Sequence, residues 1–477
     1  MAPRAEKRAD PDDGVKYTLR EFKEYYGEKK GQKKWDAAGK LDSTSPADQK
    51  TQMKAKAKAK AKVRPARKPQ VDADLLAAAI AAAKAAPAKT VELIEPLDEG
   101  MPGPEHFKVT EAPVADVEEG GILIELLHIS ADPYMRSRIK SGSGGKAGPV
   151  SGFVSARVLE SKSAAWHPGD LLGASLPYTT VQAVSAKQLE DTVSWKLTGL
   201  VSEETASQGI GVLGMPGSTA YGGVYGILRP KRASKKGEAN GETVLVSAAS
   251  GAVGQLVGQL AKMAGCTTIG SAGGPEKCAE CKEKFGYDHV IDYKTCSDAE
   301  ALKAKLKEAS PDGIDMYFEN VGGMHFDAAL ACLKPEGRIA VCGVISQYNT
   351  SSASLGSSTN ALPLASMIYP QIRIEGFVCH RWLMGKRGNF LRDMARYLKQ
   401  GKLNTTETVT EGIENWGAAF QSLFTGANRG KVVVKVSNPA PLKAAKTDDA
   451  AKTADAAKTG DKVDKKEESA TNDEGTS

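Results

Sequence analysis

The feature that most constrains this chain is a strand-like run, Thr243 to Val246, that passes through "SAASGAVG" into the periodic apolar stretch "QLVGQLAKMAG". Three small residues and two glycines at a strand-to-helix junction specify a tight turn whose backbone can be approached closely. The first-turn N–H groups and the helix dipole then face outward, the arrangement that holds a pyrophosphate. A glycine turn alone is weak evidence, because helix–strand packing also uses small residues. Here the surrounding pattern agrees: strand, glycine turn, helix, then a second strand about 20 residues on.

The alternation continues. "TTIGSAG", "HVIDY", "GIDMYFENVG" and "GRIAVCGV" read as strands, and "PEKCAECKEKFG", "DAEALKAKLKEA" and "MHFDAALACLK" as helices. Strands alternating with helices over short linkers predict a doubly wound parallel sheet over residues 216–374. Residues 89–215 read as short strands joined by turns, as in "GILIELLHIS" and "GFVSARVLE", and residues 375–437 end in the strand-like "GKVVVKV". The economical arrangement is an α/β nucleotide-binding domain inserted into a β-rich one.

The flanks differ in composition. Lys54 to Lys68 holds eight basic residues and no acid. Such a block repels itself and cannot bury a core. Residues 1–88 are therefore expected to be a largely disordered basic extension, with a short amphipathic helix near Thr18–Tyr26 and an alanine-rich helix from Val71 to Lys84. The basic run reads as a solvated spacer or as a contact for polyanions or nuclear targeting. Residues 438–477 repeat "AAKT" among charged residues and are expected to be disordered.

Several classes are excluded on composition. No run of about 18 apolar residues is present to form a membrane span. The N-terminus "MAPRAEKRADPDDG" lacks the apolar core of a secretory signal. Seven cysteines, an odd number scattered over 477 residues, argue against a disulfide scaffold and for a reducing compartment. A cytoplasmic location is expected.

The choice of dinucleotide follows from the second strand. NAD sites place an acid at its end to bond the ribose 2′-hydroxyl. Ser271, Ala272, Gly273 and Gly274 stand there instead, with Lys277 beyond. Small residues and a lysine accommodate a 2′-phosphate, so NADP(H) is the expected cofactor. The segment 90–215 has no cysteine, and only six histidines occur in the chain. A Cys/His-ligated catalytic zinc is not expected. Cys278 and Cys281 in "CAEC" lack a second ligand pair and read as packing.

The strings "ADPYMRSRI", "VLGMPGSTAYGGV", "AASGAVGQLVGQLAKMAGC", "SPDGIDMYFENVGG", "GRIAVCGVISQYN", "EGFVCHRW" and "GANRGKVVVKV" together resemble the zinc-independent branch of the medium-chain dehydrogenase/reductases. That branch contains the prostaglandin reductases, leukotriene-oxidising dehydrogenases and alkenal reductases. The resemblance spans most of residues 120–437. It implies a Rossmann domain within a GroES-like domain, a homodimer, and a set of cofactor contacts. Gly251, Ala252, Val253 and Gly254 would hold the pyrophosphate, and Lys277 and Tyr293 would approach the adenosine 2′-phosphate. Asn320 would meet the cofactor at a strand end. Cys342, Gly343, Val344, Ile345, Ser346, Gln347 and Tyr348, with Phe377, Val378 and Cys379, would line the nicotinamide half. Asn428 would close the site. His380 stands where relatives often carry tyrosine, which bears on the substrate.

Reduction of a carbon–carbon double bond conjugated to a carbonyl suits such a site. Charge develops on the carbonyl oxygen and needs hydrogen-bond donors, for which Tyr134 and Tyr348 are the candidates. A quinone reductase is the alternative within the same fold. A non-catalytic binding module tethered by the basic arm is the alternative outside it.

Overall fold

The computed structural model describes residues 7–9, 16–18, 32, 35–36, 71–141, 145–231, 239, 241–351, 365–383, 389–437 and 442. The basic run 54–68, the expected helix beyond Thr18, most of the serine-rich stretch "SSASLGSS" and nearly all of the tail 438–477 lie outside these residues.

The chain divides into two compact units, Met1–Lys68 and Pro69–Ser477. In the first, Lys7–Ala9 pairs antiparallel with Lys16–Thr18, and Trp35 is buried. Nearly all the rest of the expected basic extension up to Lys68 lies outside the described residues. Thr18, expected to open a helix, ends a strand.

The alanine-rich helix forms at Ala73–Ala85. Asp72 caps it, its carboxylate accepting from the N–H groups of Asp74 and Leu75 at 3.0 and 3.2 Å. Ala79, Ile80 and Ala83 pack on Val117, Leu123 and Leu159, and Lys84 reaches Glu160 at 3.1 Å. This helix therefore belongs to the folded unit, not to an unstructured arm.

The second unit contains the expected parallel sheet. Its order is His289–Asp292, Thr267–Ala272, Thr243–Val246, Ile314–Glu319, Leu333–Val341, Arg373–Gly376, every pairing parallel. Both faces are covered at the centre of the sheet, which is why the strand Thr243–Val246 is buried along its whole length, whereas the edge strands His289–Asp292 and Arg373–Gly376 keep polar, exposed positions. Val244, Val246, Met316 and Phe318 enter one core, while Leu245, Tyr317 and Ile339 enter the other. The boundary drawn at residue 374 falls inside the last strand, so the sheet runs on through Gly376. The expected helix through Lys334 stops at Leu330, and Leu333 already starts the next strand.

The β-rich part is a seven-stranded sheet beside a three-stranded one. Its central strand, Ile122–Ala131, pairs with Ser151–Ser161 on one side. On the other it takes Lys431–Lys435, antiparallel, with Val432 opposite Ala131 and Lys435 opposite His128. The chain thus leaves the β-rich sheet, builds the parallel one, and returns to complete the first. No helix among the described residues is long and apolar enough to cross a membrane.

Candidate functional site

Sheet order reverses between the first strand, Thr243–Val246, and the fourth, Ile314–Glu319, and ligands in such folds sit in the crevice beyond the strand ends there. The glycine turn follows the first of these strands, and Asn320 follows the fourth. Asn320 is held against the turn: its Nδ2 donates to the Ser247 carbonyl at 2.7 Å and its backbone N–H to Ser247 Oγ at 2.9 Å. Ala248 takes the left-handed conformation at φ 49°, and its carbonyl accepts from Gly251 N–H at 2.9 Å. A Cβ on Gly254 would sit 2.2 Å from that same carbonyl oxygen, so the helix begins against the turn's own backbone.

A cleft of about 750 Å³ opens over this turn. It is lined by residues of both sheets, including Ala131, Asp132, Tyr134 and Phe153 from the β-rich part. Of the residues expected from the sequence, Gly251, Ala252, Val253, Gly254, Lys277, Tyr293, Asn320, Cys342, Gly343, Ile345, Ser346, Tyr348, Phe377, Val378, Cys379, Asn428 and Tyr134 all line it, as does His380. Val344 and Gln347 do not. In the turn of 3-10 helix Ile345–Gln347, the Val344 N–H approaches Tyr348 Oη at 3.4 Å and the Gln347 N–H bonds the Val344 carbonyl. These two residues shape the turn without forming its wall.

The "GANRGK" segment is brought to the turn by the backbone. Gly251 and Gly430 form a parallel bridge, with Gly430 N–H donating to the Ser250 carbonyl at 3.1 Å. At one end of the cleft Lys277 donates to the Gly426 carbonyl at 2.8 Å. Desolvation, and then the charges of Lys294 and Arg429, push the Lys277 amine below the usual lysine range. Three cations gathered beside an open, glycine-walled cradle form a site for an anionic ligand, which suits a dinucleotide with an additional phosphate.

At the other end the Tyr134 hydroxyl is buried and has no hydrogen-bond partner among the described residues. Its ring meets Phe153 edge-on at 6.4 Å, and the Arg138 guanidinium lies 5.0 Å from its centroid. Burial, then the nearby Asp132 carboxylate, raise its pKa well above the usual phenol value, so it holds its proton as a donor. Burial also pushes the Cys342 thiol up to about 12 and keeps it neutral. Among the described residues no group of three His, Cys, Asp or Glu side chains could hold a metal ion.

Sequence reasoning missed Lys294, Thr219 and His325 in the lining. His325 bonds Ser271 Oγ through Nε2 at 3.0 Å and meets Tyr293 edge-on at 4.9 Å. Pairing of the second and third strands sets Ser271 beside the start of Tyr293, and the helix Met324–Leu330 after the fourth strand brings His325 to both. Burial lowers the His325 pKa to about 4, and burial with Lys435 does the same for His128, whose Nδ1 faces Ser155. Both folded values lie below the ordinary histidine value near 6.5, so the unfolded chain takes up more protons between pH 6.5 and pH 4. Stability should be fully present above that window and decline as pH falls through it, by on the order of 3 kcal/mol per histidine. Urea midpoints measured across this range would check it. H128N and H325N should each flatten part of the slope, and an unchanged slope in both would refute the assignment.

Comparison with known proteins places the chain. Residues 252–393 match the zinc-binding dehydrogenase family and residues 91–192 the N-terminal domain of oxidoreductase family. Prostaglandin reductase 1 of Bos taurus is 40% identical over 338 residues, covering 70% of this chain and 95% of the relative. The NADP(+)-dependent 2-alkenal reductase of Nicotiana tabacum is 41% identical over 331 residues, covering 67% of this chain and 89% of the relative. The solved structure of CurA in complex with NADPH, from Vibrio vulnificus, superposes with a TM-score of 0.65 at 34% identity, covering 74% of this chain and all of that one. With the doubly wound sheet, the switch-point cleft and relatives matched over nearly their whole length, the chain belongs to the medium-chain dehydrogenase/reductases, in the zinc-independent branch of the prostaglandin and alkenal reductases.

Proposed function

We propose that this protein uses NADPH to reduce the carbon–carbon double bond of α,β-unsaturated ketones and aldehydes. The observation that carries the reading is the unpartnered, buried Tyr134 hydroxyl in the wall of a cleft whose other end is a glycine turn flanked by cations. A protonated donor with no acceptor of its own is suited to a carbonyl oxygen on which charge accumulates. The names of the relatives, prostaglandin reductase and 2-alkenal reductase, support this substrate class.

NADPH, when bound, supplies the hydride that the β-carbon receives. The turn Gly251–Gly254 would hold the pyrophosphate, with the N–H groups beyond Gly251 facing it while the Gly251 N–H stays on the Ala248 carbonyl, and Lys277 and Tyr293 would hold the 2′-phosphate. Asn320, Cys342, Gly343, Ile345, Ser346, Tyr348, Phe377 to Cys379 and Asn428 would enclose the nicotinamide half. Tyr134, seconded by Tyr348, orients the substrate carbonyl and stabilises the enolate, which takes up a proton at the α-carbon to give the saturated product. Phe153, Val193 and Met215 add apolar wall that excludes water, which strengthens those hydrogen bonds. The enzyme works in the cytoplasm as a homodimer, and the basic run 54–68 gives it a salt-sensitive hold on polyanions; the charge pattern alone supports this last part.

The test is NADPH consumption over a panel of alkenals, enones and quinones. Turnover with enones well above that with quinones is the expected result; quinone turnover alone would overturn the reading. Lys277→Ala should raise the KM for NADPH about tenfold, the weight of one charge-assisted contact, and leave that for NADH unchanged. Equal effects on both would show that Lys277 does not read the 2′-phosphate.

A further inference from the structure

The cation cluster has a buried carboxylate behind it. Glu280 lies one helical turn beyond Lys277 on Pro275–Glu283, and its side chain is only 5% exposed. It gathers groups from outside its own helix: Thr406 Oγ1 donates to Oε1 at 2.5 Å, and Arg429 Nε donates to Oε2 at 3.3 Å. Lys284 Nζ lies 3.8 Å from Oε1 and donates to the same Thr406 hydroxyl. Arg429 directly follows Asn428, which lines the cleft, and its charge is felt at Lys277. The negative field of Glu280 also reaches the Lys277 amine, in the opposite sense.

We infer that Glu280 is a positioning residue, the resident counter-anion of the site that takes the phosphate monoester on the cofactor's adenosine ribose. It holds Arg429 beside Lys277 and Lys294, and it offsets one of their three charges. A ligand phosphate arriving at the cluster meets an arginine already engaged and a field already partly cancelled. Glu280 thereby limits how tightly the 2′-phosphate end is held, and so favours release of the oxidised cofactor. Three uncompensated cations would bind a phosphate more tightly and would repel one another in its absence. This inference rests on the NADPH reading above.

The experiment is calorimetric titration of the full chain with 2′,5′-ADP and with 5′-AMP, which differ by that phosphate alone. The wild type should prefer 2′,5′-ADP. Glu280→Gln keeps the shape and an accepting oxygen for Arg429 but removes the charge. It should tighten 2′,5′-ADP about fivefold, the scale of one unit charge across a partly screened site, and leave 5′-AMP unchanged. Arg429→Gln should weaken 2′,5′-ADP about tenfold and shrink the effect of Glu280→Gln when the two are combined. A Glu280→Gln protein that binds 2′,5′-ADP equally or more weakly overturns the inference. Should that variant not fold, Arg429→Gln decides alone, since its side chain is 46% exposed; unchanged 2′,5′-ADP affinity there also overturns it. A wild type that does not distinguish the two nucleotides overturns the NADPH reading itself. A wild type that distinguishes them, with variants that do not respond, overturns only the role of Glu280.

Discussion

Gly254→Ala should lower kcat/KM with NADPH about 100-fold, the cost of displacing a binding element by roughly an ångström. The added Cβ would meet the Ala248 carbonyl oxygen at 2.2 Å and the Ala249 Cα at 2.8 Å. Both are backbone atoms of the turn, so no side chain can swing aside. Ala248 already occupies the left-handed region, and its carbonyl is fixed by Gly251 N–H at 2.9 Å. The helix start must therefore move outward, taking with it the N–H groups proposed to face the pyrophosphate. The Gly254 carbonyl also anchors the Tyr287 hydroxyl at 2.7 Å, so the shift reaches the buried side of the helix. A stability loss of about 2 kcal/mol should accompany the kinetic one, as for other overpacked sites. Gly251→Ala is the control. Its Cβ would meet the same oxygen at 3.1 Å, a contact that a few tenths of an ångström relieves. Steady-state kinetics and melting curves of both variants check the ranking. A Gly251→Ala enzyme more impaired than Gly254→Ala would show that the turn is not the rigid part.

What could be read from the sequence is local. The strand–turn–helix signal at Thr243–Met263 depends on residues within about 20 positions of one another, and the alternation after it repeats the same signal. The parallel sheet follows from these. Lys277 was reachable because the end of the second strand is a fixed distance from the turn. The rest is long-range. Nothing near Gly430 announces that its N–H will reach the Ser250 carbonyl, and nothing in "CAEC" announces that Glu280 between the cysteines will hold Arg429. His325 reaches the cleft wall from the helix Met324–Leu330, and its partners Ser271 and Tyr293 lie more than 30 positions away in sequence, which periodicity does not encode. Val344 and Gln347 were counted as wall because the stretch 342–348 was taken whole; a helical turn instead spends two of its residues on its own geometry.

The same distinction governs the expected effect of Lys431→Met, a loss of about 3–5 kcal/mol, the cost of breaking a buried ion pair by removing one partner. From the sequence Lys431 is one basic residue at the edge of "GKVVVKV". In the structure its side chain is 2% exposed, and four oxygens lie within hydrogen-bonding distance of the three donors on Nζ: Ser130 Oγ at 2.6 Å, and the Ala131 carbonyl, Asp132 Oδ1 and the Val432 carbonyl at 2.9 Å each. Ser130 in turn donates to the other oxygen of Asp132, and its carbonyl accepts from Tyr178 Oη at 2.6 Å and Trp416 Nε1 at 2.9 Å. Methionine fills the volume and supplies none of these donors. Asp132, itself 3% exposed, is then a buried carboxylate without its cation, two residues from Tyr134 in the cleft wall. Asp132→Asn combined with Lys431→Met removes the stranded charge, so the double variant should recover part of the loss. Urea unfolding of the two single variants and the double one measures the coupling. Strict additivity would mean that the ion pair does not act as a unit. A Lys431→Met protein within about 1 kcal/mol of wild type would mean that this lysine is no more than a surface-like contact.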